Sequence, residues 1–357
     1  MKSAVLFAQH QHLVIRDDVT LTNFGAHDVH VKLVSSGVCH SDLSMQNGTL
    51  PERVPMVLGH EGAGTILEVG SAVTELKAGD PCIVSMVPAC RVCKPCLRGQ
   101  ANLCEASGPM LAAQHFVVDG QLISAISGCG TFSEEMIVPE SAIIKVDDDI
   151  PLDIVSLIGC GVMTGVGASI NTAQIKPGSS VVVFGCGGIG ISAIQGARIA
   201  GAAEILAVDL AENKFELAKS FGATHVCTPD YVEDMKQQIT GGEGFDYALE
   251  CIGHPITIRA TYDAARRGGT AVIVGVGKAD QILDFNAYEM FFGDKSLKGS
   301  MYGSSNVRVD IPKLLRLWKT GKLNLEGMVS QRIKLEEIND AFRAMAAGEV
   351  IRSVIQF

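Results

Sequence analysis

The sequence predicts an α/β chain in two parts, a β-rich, barrel-like domain of short strands and a doubly wound parallel sheet inserted into it. Up to residue 150, short β-type runs alternate with Gly, Asn and Pro turns. Beyond residue 165, continuous Val/Ile runs alternate with helical stretches, the pattern of parallel strands covered on both faces. The closing run, 352–357, is again strand-like and returns the chain to the first part. The expected division is residues 1–161 and 301–357 for the β-rich domain, with 162–300 as the insertion.

Taken in order, the β-rich part offers strands at 3–7, 13–16, 29–34, 64–69 and 81–86. Turn signals separate them, as at Asn47-Gly48 and Lys77-Ala78-Gly79-Asp80-Pro81. Short punctuated strands suggest antiparallel pairing. In the insertion, 180–184, 204–208, 225–228, 245–249, 270–276 and 297–302 read as six strands. Helical patterns at 188–200 and 212–221 fall between the first of them, and helices at 311–319 and 335–346 precede the closing strand.

Composition narrows the function classes. Of 357 residues, 47% are apolar and 19% charged, which describes a folded, enzyme-sized protein. Lys and Arg number 29 against 39 Asp and Glu, a net charge of -10 with no long basic run, which argues against nucleic acid or an anionic membrane as partner. The start is too short and too soon polar for a secretory segment, and no uninterrupted apolar run is long enough to span a bilayer. Eleven cysteines, an odd number with four between 90 and 104, point to metal chemistry in a reducing cytoplasm rather than to disulfides. Cys82, Cys129, Cys186, Cys227 and Cys251 read as small buried hydrophobes.

Gly185-Cys186-Gly187-Gly188-Ile189-Gly190 matches the G-x-G-x-x-G pattern. It follows a predicted strand, opens a predicted helix and meets Asp209 at the end of the next strand, which is the context dinucleotide binding requires. Gly185 permits the turn, Gly187 lets backbone approach the pyrophosphate, and Gly190 lets the helix pack on the strand. The pyrophosphate would rest on the positive end of the helix. Asp209 can accept from both ribose hydroxyls and would repel a 2′-phosphate, so NAD(H) is favoured over NADP(H).

Cys90, Cys93, Cys96 and Cys104 place four thiolates on one short loop. That suits a closed tetrahedral structural zinc, with Arg91, Lys94 and Arg98 offsetting the site's negative charge. An iron–sulfur cluster is the rival, but its spacing agrees only in the first half. Cys39, His60 and Cys160 each stand in a Gly-containing motif, and spacing alone does not unite them.

In their order along the chain, Gly37-Val38-Cys39-His40-Ser41-Asp42, Gly59-His60-Glu61-Gly62, the four-cysteine loop, Gly159-Cys160-Gly161, the glycine fingerprint and the chain end resemble zinc-dependent medium-chain alcohol dehydrogenases. The resemblance spans essentially the whole chain. It implies a GroES-like catalytic domain beside a Rossmann NAD-binding domain, two zinc ions per chain, and hydride transfer between NAD(H) and an alcohol or aldehyde. By it, Cys39, His60 and Cys160 hold the catalytic zinc, Asp42 orients His60, and Glu61 lies behind the metal. Ser41 would take the hydroxyl proton. Ser44 stands where many members carry a relay histidine, so release through water is expected, with His40 as a second candidate. His40 also occupies a place often held by Arg facing the pyrophosphate. Thr164 and Ile189 would flank the nicotinamide, Lys214 would reach the adenosine ribose, and Arg352 a phosphate.

Leu50, Met86, Ile126 and Ser127 fall where the family lines its substrate pocket. Glutathione-dependent relatives need an acidic residue at Leu50 and an Arg soon after the fourth loop cysteine, where this chain has Ser107-Gly108-Pro109. A neutral, mainly apolar primary alcohol, allylic or aromatic, is therefore expected. A polyol substrate is disfavoured because those relatives usually carry Glu at the position of Cys160. Two alternatives stay open: an enzyme that keeps NAD(H) permanently bound, and a non-catalytic NADH-binding structural protein. The edge strand at 297–302 suggests a homodimer, with a tetramer also compatible.

Overall fold

The computed structural model describes residues 1–50 and 53–357. They form two compact units, Met1–Cys160 with Asn306–Trp318 and Leu325–Phe357, and Gly161–Ser305 with Lys319–Asn324.

The first unit is organised by the strand Asp28–Val38. Its first half alternates, with Val29, Val31 and Leu33 buried, as expected of a sheet with one face on the core. Its second half is buried continuously, because the closing strand Arg352–Gln356 pairs antiparallel along Ser35–Val38. Glu61–Val69 and Glu135–Pro139 also pair with it. A second, six-stranded sheet includes Ser3–Leu6 and the hairpin of Phe116–Val118 with Gln121–Ala125. Two apolar clusters fill this unit. In one of them the helix Ile338–Ala346 buries Ile338, Ala341, Phe342 and Met345, an i, i+3, i+4, i+7 stripe.

Pairing is not wholly antiparallel. Val329–Ile333 runs parallel to Arg352–Gln356, because the Ile338–Ala346 helix between them makes a crossover, and Met56–Val57 runs parallel to Gln121–Ala125. The strand expected at 64–69 begins instead at Glu61, whose charge conceals it. Short helices at His40–Gln46, Lys94–Leu97 and Ser107–Leu111 stand where the sequence offered only strands and turns.

The second unit carries six parallel strands, β1 Ser180–Phe184, β2 Glu204–Val208, β3 His225–Cys227, β4 Phe245–Glu250, β5 Ala265–Ile273 and β6 Ser296–Gly299. Their spatial order is β3-β2-β1-β4-β5-β6. The order reverses between β1 and β4, and the crevice outside the carboxyl ends at such a point is where this kind of sheet binds ligands. β5 stops at Ile273 rather than Val276, because the next two N–H groups, of Val274 and Gly275, both turn onto the Glu250 carbonyl. β6 stops at Gly299 rather than Tyr302, since Tyr302 and Gly303 take left-handed backbone angles.

The helix Gly188–Ala200 packs so closely on the preceding turn that a Cβ on Gly190 would lie 1.7 Å from the Gly185 carbonyl oxygen. Gly190→Ala is therefore expected to destabilise this unit by about 1–3 kcal/mol, an overpacking cost readable in chemical denaturation.

Candidate active site and metal centres

Three segments distant in sequence converge in the first unit. Cys39 follows the Asp28–Val38 strand and caps the helix His40–Gln46, His60 precedes the strand Glu61–Val69, and Cys160 follows the turn Val155–Gly159. Gly159 permits the approach, since a Cβ there would lie 2.7 Å from the Val84 carbonyl oxygen. The ligating atoms of Cys39, His60, Glu61 and Cys160 all lie within 4.8 Å of one another.

Asp42 organises this cluster from beneath. Fully buried, it accepts from the Cys39 N–H (3.1 Å), the Gly59 N–H (2.9 Å) and His60 Nδ1 (3.0 Å). His60 Nδ1 is the ring nitrogen that meets Asp42, which leaves Nε2 as the atom turned to the sulfurs. Nε2 is buried and has no hydrogen-bond partner among the described residues. A buried, unpartnered ring nitrogen beside two thiols is the feature a zinc ion satisfies, displacing protons as it binds. A mutual hydrogen bond between the two sulfurs lowers the Cys39 thiol and raises that of Cys160. Burial opposes charge on His60, but Asp42 and Cys39 outweigh it and raise its pKa.

Glu61 is held by Arg352, whose Nη2 donates to its Oε2, and both side chains are buried. Burial raises the Glu61 carboxyl against the pull of Arg352. Arg352 itself stays charged, since Glu61 and Cys39 overcome its burial. Arg352 is expected at a cofactor phosphate, and the contact the structure shows for it is with Glu61. Sequence reasoning missed this ion pair; its signal was a charge at the first position of each of two strands.

The four-cysteine loop is closed in the same unit. Cys90, Cys93, Cys96 and Cys104 also bring their sulfurs within 4.8 Å of one another. The Cys90 N–H donates to the Cys104 sulfur (3.2 Å) and the Cys93 N–H to the Cys90 sulfur (3.3 Å). Backbone donors at Val92 and Cys93 lower the Cys90 thiol to about 6, favouring the thiolate that zinc needs.

In the second unit, Gly185 has φ +95, while a Cβ on Gly187 would meet nothing within 4 Å. Asp209 accepts from the Cys186 N–H (2.7 Å) and the Ala211 N–H (2.9 Å), so β2 and the glycine turn are tied at the carboxyl ends. Lys214 places Nζ 3.3 Å from both Asp209 oxygens. Thr164 is buried on the helix Gly161–Gly167, where a Cβ on Gly165 would lie 2.3 Å from the Ile189 carbonyl oxygen. Gly188 opens the fingerprint helix.

The remaining expected residues are scattered more loosely. His40 is exposed and Ser41 half-buried at the start of their helix. Leu50 and Ile126 pack in one apolar cluster, Met86 against the other. Ser127 adopts φ 48, a left-handed conformation uncommon for a non-glycine residue. Cys82, Cys129, Cys186 and Cys227 are buried, and Cys251 partly so. No helix of the described residues is long and apolar enough to cross a membrane.

Comparison with known proteins agrees with this geometry. Residues 188–320 match the family of zinc-binding dehydrogenases, and residues 25–148 match the alcohol dehydrogenase GroES-like domain. The chain is 37% identical over 358 residues to S-(hydroxymethyl)glutathione dehydrogenase of Paracoccus denitrificans, covering 95% of each. It is 38% identical over 359 residues to alcohol dehydrogenase class-3 of Cereibacter sphaeroides, again covering 95% of each. Among solved structures, benzyl alcohol dehydrogenase from Acinetobacter calcoaceticus superposes with a TM-score of 0.92 at 31% identity, covering 100% of this chain and 99% of that one.

Asp42→Asn should weaken metal binding at the Cys39–His60–Cys160 site by about 10–100-fold, seen as faster zinc loss to a chelator, because the amide oxygen is a weaker, uncharged acceptor for the imidazole and its NH2 would face the Cys39 N–H. Gly187→Ala should leave the melting temperature unchanged, since its Cβ meets nothing in the protein, yet raise the NADH dissociation constant measured by fluorescence titration.

Proposed function

The chain belongs to the zinc-dependent medium-chain alcohol dehydrogenase family, and we propose on that footing that it transfers hydride reversibly between NAD(H) and a neutral, mainly apolar primary alcohol or aldehyde. The observation that carries the catalytic reading is His60 Nε2, buried beside Cys39 and Cys160 with no hydrogen-bond partner among the described residues. These three residues would hold a zinc ion, which when bound polarises the substrate oxygen as a Lewis acid. Asp42 keeps the imidazole in one tautomer and orientation. Arg352 holds Glu61 and offsets its charge, so the donor set remains two sulfurs and one nitrogen. Cys90, Cys93, Cys96 and Cys104 would enclose the second, structural zinc.

Ser41 Oγ is the first acceptor for the hydroxyl proton. Ser44 offers no imidazole to continue the relay, so the proton leaves Ser41 through water, with His40 next in line. Gly185, Gly187, Gly188 and Gly190 form the turn that receives the pyrophosphate, and Ile189 and Thr164 stand by the nicotinamide. Asp209 accepts from the ribose hydroxyls with Lys214 beside it, and a 2′-phosphate there would meet a carboxylate. NAD(H) is accordingly preferred over NADP(H).

Leu50, Met86, Ile126 and Ser127 would supply the substrate wall. An apolar residue at position 50 and the absence of Arg from 107–109 support an aromatic or allylic alcohol, as does the fold shared with a benzyl alcohol dehydrogenase. S-(hydroxymethyl)glutathione is the second reading, favoured by the name of the Paracoccus relative. The subunits pair as a homodimer through the edge strand β6 and the adjoining Tyr288, Phe291 and Phe292, which are 70%, 77% and 51% exposed. Burying such side chains against a second copy removes apolar surface from water.

Initial-rate measurement with an alcohol panel tests this reading. Benzyl and cinnamyl alcohols should give higher kcat/KM than S-(hydroxymethyl)glutathione, with NAD as oxidant and no dinucleotide retained through purification. A preference for the glutathione adduct would replace the apolar-alcohol assignment. Light scattering should give a dimer mass, and a monomer would contradict the edge-strand assignment.

A further inference from the structure

Glu250 ends β4 beside the point where strand order reverses, and it is wholly buried. A carboxylate in such a place needs donors, and the chain supplies them from the residues that follow. Oε1 accepts from the Ile252 N–H (3.1 Å), the Gly253 N–H (2.8 Å) and the Thr257 hydroxyl (2.6 Å), and Oε2 from the Gly253 N–H (3.0 Å). Thr257 lies in the first turn of the helix Pro255–Ala264, whose N-terminus favours a negative charge. One side chain therefore draws a whole turn back over the end of its own strand.

That turn borders the glycine fingerprint. The Cys251 N–H donates to the Phe184 carbonyl at the end of β1, 2.9 Å away. Gly185, the first fingerprint glycine, would place a Cβ 2.7 Å from Ile252 Cγ1. On the other side the turn presses against the end of β5. A Cβ on Gly275 would lie 2.1 Å from the Gly253 nitrogen, and one on Gly253 (φ +90) 2.5 Å from the Val276 carbonyl. Ile252 is 50% exposed, an apolar side chain held half in water beside Gly185 at the carboxyl end of β4.

We propose that Glu250 is a positioning residue for the dinucleotide: its carboxylate fixes the Cys251–Gly253 turn and with it the wall that faces the glycine fingerprint. The inference rests on the assignment of that fingerprint to NAD(H). It is separate from Asp209, which ties the fingerprint to β2 from the opposite side. Glu250 itself touches no cofactor and works through Ile252 and Gly253. Without the carboxylate, two backbone N–H groups lose their acceptor and the turn is free to leave the closed conformation, so part of the binding free energy goes into restoring it.

The test compares NADH affinity by fluorescence titration for the full-length zinc-loaded enzyme and three variants, with zinc content and melting temperature measured in parallel. Glu250→Ala should raise the NADH dissociation constant by about tenfold or more, as expected when buried donors are left without an acceptor. Thr257→Val, which removes one donor and keeps the others, should raise it by about threefold. Glu250→Gln retains an acceptor oxygen and should restore affinity to near the wild-type value. Zinc content should remain unchanged throughout. A role confined to stability would lower the melting temperature of Glu250→Ala and leave the dissociation constant alone, and that result overturns the proposal. Should Glu250→Ala not fold, an unaltered dissociation constant in Thr257→Val overturns it equally. A wild-type chain that binds no NADH would instead overturn the fingerprint assignment beneath it.

Discussion

The hydrogen bond from His60 Nδ1 to Asp42 is the contact on which the rest of the catalytic centre depends. It fixes the orientation of the ring, and so turns Nε2 toward the two sulfurs without a hydrogen-bond partner among the described residues. Asp42 also receives the Cys39 and Gly59 N–H groups, which tie the residue before His60 and the first sulfur to the same carboxylate. A single buried group thus couples ligand orientation to the cap of a helix. Loss of the imidazole's other acceptor would free the ring to rotate, and the two sulfurs alone would not complete a site.

The first unit pays for this buried polarity with compensating pairs around it. Arg352 meets Glu61 directly behind the donor cluster, and it comes from the closing strand of the chain. Antiparallel pairing of that strand with Ser35–Val38 is what brings the guanidinium there. The return of the polypeptide to its first sheet is therefore part of the site's electrostatics as well as of the fold. In the second unit the same economy appears in carboxylates that accept backbone N–H groups: Asp209 holds the fingerprint turn and Glu250 the turn beside it.

Much of this was legible in the residues. The six parallel strands were visible because both faces are covered, so their Val and Ile runs are continuous, and β1, β2 and the Gly188–Ala200 helix fall within the predicted bounds. Strand ends were less legible where they depend on a partner elsewhere in the chain, as β5 does on the Glu250 carbonyl. The four-cysteine loop declared itself through local spacing. Cys39, His60 and Cys160 did not, because 121 positions separate the first from the last and only family resemblance joined them. The Glu61–Arg352 pair escaped entirely: a charge at the first position of a strand reads as the strand's boundary until its partner, 291 positions away, is seen against it.

Metal stoichiometry of the purified chain, set beside that of Cys160→Ser, tests the central claim most directly. The account predicts about two zinc ions per chain for the wild type and about one for the variant, the survivor being enclosed by Cys90, Cys93, Cys96 and Cys104. Equal metal content in the two proteins would show that Cys39, His60 and Cys160 do not form one coordination site.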